Sequence, residues 1–159
     1  MDNYQYQHGR IAGVRFCDIS RLVIELLPEV SHIAIRSLDS TVAIESLRHI
    51  LNLQCVPFSQ TNGNILISRE SFYVALSKNV FTGYDELWFF QSEPSKDLFG
   101  LPRATSESED FSVAIPTQVI DCMRETQCVL LIADGNGLNY ITDNPAVIEL
   151  LSLKSKRQP

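Results

Sequence analysis

Tyr84-Asp85-Glu86-Leu87-Trp88-Phe89-Phe90 is the stretch on which the fold turns. It holds the single tryptophan of the chain, follows Thr82-Gly83 and runs into Gln91-Ser92-Glu93-Pro94. A short apolar, aromatic run with turn residues at both ends predicts a strand with both faces at least partly buried. Such a strand belongs near the centre of a sheet, so the flanking sequence has to supply neighbouring strands and covering helices.

Upstream of it, Ile11 to Phe16 reads as a first strand after a mobile start at residues 1–9. Asp18 is placed to N-cap a helix to about Leu27, with Ile19, Leu22, Val23, Leu26 and Leu27 at helical spacing and Pro28 ending it. Arg21 and Glu25, four apart, are expected to face solvent together. His32 to Arg36 is a second strand, and Asp39 or Ser40 caps a second helix to Leu53. Gln54 to Phe58 is a weaker strand, joined through an Asn62-Gly63 turn to Ile65-Leu66-Ile67. Ser68 caps a third helix through Val80, with Phe72, Tyr73, Leu76 and Val80 inward.

Downstream, residues 92–110 give no regular pattern, and Leu98 to Pro102 is an apolar island inside this long loop. Phe111 to Ile115 reads as a short extended segment, followed by a helix from Pro116 to Glu125 with Ile115, Val119, Ile120 and Met123 as its stripe. Cys128 to Ala133 is a buried strand, and Asp134-Gly135-Asn136-Gly137 turns it back into Leu138 to Ile141 as a hairpin. Asn144 caps a last helix with Pro145 in its first turn, through Leu151 or Leu153, and residues 154–159 are expected to fray. The whole reads as a single α/β domain over residues 1–159, with a mixed sheet of about five to seven strands and helices packed on it.

The charge is unevenly placed. Residues 1–84 balance at zero, residues 85–143 carry eleven acids against three bases, and residues 144–159 are net +2. A concentrated acidic section argues against a nucleic-acid binder, which needs a basic footprint, and favours a basic partner or simply solubility. No stretch has the roughly 20 apolar residues of a membrane span, and the polar N-terminus lacks the order of a signal peptide. A cytosolic protein is expected, with Cys17, Cys55, Cys122 and Cys128 reduced and acting as small buried hydrophobes.

No motif fixes a reaction. Gly135-Asn136-Gly137 lacks the third glycine of a phosphate loop, Tyr140 standing in its place, and leads into a strand. His8, His32 and His49 show no metal spacing, Cys122 and Cys128 are six apart, and no Gly-x-Ser-x-Gly elbow occurs. A Cys–His dyad of residues distant in sequence stays open. Glu93, Asp97, Glu107, Glu109 and Asp110 lack the order of a calcium loop. They read either as a solvated acidic loop or, with Asp85 or Glu86, as a partner-binding surface on which Tyr84 and Phe99 would be the anchors. Trp88 reads as core. No catalytic residue, metal site or cofactor is assigned.

The segment Phe81-Thr82-Gly83-Tyr84-Asp85-Glu86-Leu87-Trp88-Phe89-Phe90 resembles a stretch recurring in small cytosolic immunity proteins of bacterial polymorphic-toxin and contact-dependent growth inhibition systems. There a helix and a glycine turn lead into an acidic-then-aromatic strand. Small size, acidic balance and mixed α/β order are similar too. The resemblance implies a non-enzymatic protein that binds and neutralises a cognate toxin, often a basic nuclease. An enzyme with a scattered site, and an assembly subunit using an exposed strand edge, are the alternatives.

Overall fold

Asp85–Phe90 is a strand, and it lies fourth of seven across the sheet. The computed structural model describes residues 7–37, 41–61, 64–78, 85–94, 117–126, 128–134 and 137–156. In chain order these form β1 (Gln7–Ala12), α1 (Phe16–Leu26), β2 (His32–Ser37), α2 (Thr41–Leu53), β3 (Phe58–Thr61), β4 (Asn64–Ser68), α3 (Arg69–Ser77), β5 (Asp85–Phe90), α4 (Thr117–Thr126), β6 (Val129–Asp134), β7 (Gly137–Thr142) and α5 (Pro145–Lys156). The sheet runs β1-β7-β6-β5-β2-β4-β3. Helices pack on this one sheet, as an α/β domain requires. Where the sequence suggests a mixed sheet, every described pairing is antiparallel.

Because side chains alternate along a strand, β5 feeds two cores. Leu87 and Phe89 join Ile33, Ile35, Ile65, Ile67, Val129 and Leu131 beneath α1, α2, α3 and α5. Phe89 meets Phe72 of α3 edge to face at 5.6 Å. Trp88 and Phe90 turn to the other face, where Ala34, Leu66, Leu130, Ile132 and Ile141 gather with Met123 of α4. The Trp88 and Phe90 rings stack at 6.2 Å. Trp88 is completely buried, so its place in the core is as its sequence context predicts.

Two pairs of antiparallel neighbours are joined over two residues each, and those residues, Asn62-Gly63 and Gly135-Asn136, where the sequence reading places turns, lie outside the described residues. Thr61 pairs with Asn64, leaving Asn62 and Gly63 between the paired ends, and Asp134 pairs with Gly137 across two residues. Gly137 is required by its neighbour on the far side: a Cβ there would come within 2.1 Å of the Ile11 carbonyl oxygen. Ser68 caps α3, its hydroxyl accepting from the Ser71 amide at 3.2 Å. Asn144 caps α5, its side-chain oxygen accepting from the amides of Ala146 and Val147 at 3.0 and 3.2 Å. Arg21 and Glu25 are both exposed on α1.

Several boundaries differ from the sequence reading, each for a physical reason. The first strand is Gln7–Ala12, so residues 7–9 belong to it, because pairing with β7 sets its register and overrides the weak local signal around Gly9. Gly9 also admits the Tyr140 side chain, whose hydroxyl oxygen and two ring carbons a Cβ would meet within 2.9 Å. α1 starts at Phe16, not after an Asp18 cap. Phe16 and Cys17 are half-buried against the core, which draws the first turn forward, and the Arg15 side chain at the N-cap makes no capping hydrogen bond. Asp18 becomes a first-turn acid, favourable to the helix dipole. β3 lies at Phe58–Thr61, later than Gln54–Phe58, because the chain leaves α2 through a turn in which Cys55 takes a left-handed φ of 54°. The expected caps at Asp39 and Ser40, the Val80 end of the third helix and the Phe111 to Ile115 segment lie outside the described residues.

One tie across the fold carries no sequence signal. Arg69, the first residue of α3, donates to the carbonyl oxygens of Ile24 (2.6 Å), Leu27 (2.7 Å) and Val30 (3.0 Å). It thereby adds a charged donor at and just beyond the C-terminal end of α1, where the Ile24 carbonyl also accepts from the Leu27 amide and the Leu27 carbonyl from the Val30 amide, and it sets a positive charge at the negative end of the helix dipole.

Candidate functional site

The register of β2, β5 and β6 places Arg36 opposite Glu86, and Glu86 opposite Ile132. Arg36 and Glu86 therefore share the face that carries Trp88. Both charges are withdrawn from solvent, with Arg36 4 % and Glu86 0 % exposed. Arg36 Nη1 stands 3.9 Å from Glu86 Oε2, close enough for strong attraction but beyond hydrogen-bond length. The Trp88 indole N–H donates to the same carboxylate oxygen at 3.2 Å, and the Arg36 guanidinium lies 5.9 Å from the Trp88 ring centroid. The cluster thus combines an ion pair, an indole hydrogen bond and a cation–π contact between two successive same-face positions of β5 and the β2 residue that faces the first of them.

Helix α4 lies on this face. Met123 is buried in the second core and Cys122 packs against it. Burial pushes the Cys122 thiol up, the hydrogen bond with Thr126 opposes that rise, the Glu125 charge adds to it, and the Arg36 charge opposes it. Burial likewise drives Cys128 up to about 12, with Thr126 again opposing and Cys122 adding. Thiols held protonated in this way are poor nucleophiles. The four cysteines are free; Cys128 is buried as the sequence reading has it, while Cys17 and Cys122 are only half-buried at the margins of the two cores. Cys55 departs from that reading: it is exposed, because it sits in the turn after α2 and not on its apolar stripe.

The sequence-derived partner residues fall into three groups. Glu86 is corrected outright. With its carboxylate buried against Arg36 and Trp88, it has no surface to offer a partner, and the inward phase of the strand is the reason. Glu93 is exposed just beyond β5, and Asp85 opens β5 opposite Ser37. Tyr84, Asp97, Phe99, Glu107, Glu109 and Asp110 lie outside the described residues. Two further acids, Asp121 and Glu125, are exposed on α4. They stand four apart, so like charges share one helix face, a spacing legible in the sequence but not singled out there.

Ser31 and His32 form the one serine–histidine contact found among the described residues. Ser31 Oγ lies 2.8 Å from His32 Nδ1 and donates its proton to the Gln91 carbonyl at 2.9 Å. That polarity leaves Nδ1 as the donor, the reverse of what an activated serine needs from its base. The contact ties the start of β2 to the end of β5. Among the described residues no group of three or more His, Cys, Asp or Glu side chains is placed to hold a metal ion. No described helix is long and apolar enough to cross a membrane.

No protein-family model, curated protein or solved structure matches the chain.

Proposed function

We propose that this protein is an immunity protein, a stoichiometric inhibitor that binds a basic toxin and occludes its active site. The observation that carries the reading is the acidic section itself. Residues 85–143 hold eleven acids against three bases, and Glu93, Asp121 and Glu125 from it stand exposed. Among the described residues the one fully buried acid of the section, Glu86, is matched by an arginine from outside it, so this burial leaves the excess of acids over bases at the surface. Such an excess raises the rate at which a basic partner is captured. The resemblance of Phe81 to Phe90 to immunity proteins supports the same reading.

The test first asks whether the reading frame immediately upstream encodes a large secreted protein with a variable C-terminal domain, and then uses that domain; its absence counts against the proposal. Co-expression should restore growth to cells making that domain, and the purified pair should form a one-to-one complex. Reversing Glu93, Asp121 and Glu125 to lysine should slow association and flatten its dependence on salt, with the melting temperature almost unchanged, since exposed charges contribute little stability. No protection and no complex with that domain would end the proposal. Unchanged association rates at low and high salt would remove the steering role from these three acids.

A further inference from the structure

We draw no further inference here: the strongest candidate, the outer edge of the sheet along β1, ends the strand order among the described residues, but nothing in the structure shows what covers it.

Discussion

Replacing Glu86 by glutamine separates a surface acid from a core one. The substitution keeps the shape of the side chain and an oxygen that can accept from the Trp88 indole, but removes the charge facing Arg36. With Nη1 and Oε2 3.9 Å apart, the attraction is about 4 kcal/mol at an effective dielectric constant near 20. Loss of one member of a buried pair costs about 3–5 kcal/mol, because the remaining charge stays in a medium that solvates it poorly. Glu86→Gln is therefore expected to remove about 3 kcal/mol or more, a large share of the roughly 5–15 kcal/mol that holds a domain together. Urea unfolding followed by Trp88 fluorescence and far-ultraviolet circular dichroism gives the number. If the variant is too unstable to study, the double replacement Arg36→Met with Glu86→Leu decides the matter. It removes both charges and should be more stable than either single change. A Glu86→Gln protein within about 0.5 kcal/mol of wild type, the range of an ordinary surface change, would refute the argument and return Glu86 to the list of possible partner contacts.

Arg69→Ala should lower stability by about 2–4 kcal/mol, since it leaves the carbonyls of Ile24, Leu27 and Val30 without their charged donor; Arg69→Lys should recover only part of this, because an ammonium lacks the fork. An alanine variant unfolding at the wild-type urea midpoint would show that water caps α1 equally well. Cys55→Gly should be neutral or stabilising by up to about 1 kcal/mol, because a left-handed non-glycine residue costs about 1–2 kcal/mol and glycine's greater chain entropy offsets part of the gain. A clear drop in melting temperature would mean that the thiol makes a contact worth more than the strain. Cys128 should resist alkylation in the native state while exposed Cys55 reacts first, as mass spectrometry of partially labelled protein would reveal. With the Cys128 thiol raised from 9.0 to about 12, the folded state binds the extra proton between those values. Its contribution is therefore whole below about pH 9 and is lost as pH rises toward 12, so Cys128→Ala should flatten the alkaline limb of the stability profile. An identical alkaline slope in the alanine variant would count against it.

How much of this was legible depended on whether the deciding interaction is local. The β5 strand, the Asn62-Gly63 and Asp134–Gly137 connections, the Ser68 and Asn144 caps and the burial of Trp88 follow from short-range rules of pattern, turn chemistry and capping. β1 did not, because its strand character comes from pairing with β7 more than a hundred residues away, and its own Gly9 argues against it. The start of α1 was missed because tertiary burial of Phe16 outweighed a good capping residue at Asp18. Glu86 shows the same limit at the candidate site. An acid next to Asp85 at the head of an aromatic strand looks like surface, and only the alternation that also buries Trp88 and Phe90 puts it inside. The compensating Arg36 lies fifty residues earlier, and nothing local in either segment announces the pair. Arg69 is the same kind of case, a side chain from one helix closing the end of another.

The burial of β5 divides the labour of any partner contact. Trp88, Phe89 and Phe90 are the large aromatics of the acidic section's leading strand, and all three are consumed by the two cores. They cannot anchor a complex. The large apolar side chains exposed among the described residues are Leu26, Leu53 and Leu153, on α1, α2 and α5, which pack on the sheet face opposite Trp88 and its ion pair. The exposed acids of residues 85–143 among the described residues, Glu93, Asp121 and Glu125, sit on α4 and just beyond β5, while these leucines belong to helices of the other layer. Charge of this kind accelerates encounter but contributes little to residence time, which depends on desolvated anchors. A complex of nanomolar affinity corresponds to about −12 kcal/mol, more than rim charges supply. If the inhibitor reading is right, long residence on the toxin has to come from side chains such as Tyr84 and Phe99, not from the acids. Alanine at those two positions should then accelerate dissociation at unchanged association rate, the opposite signature from the lysine reversals.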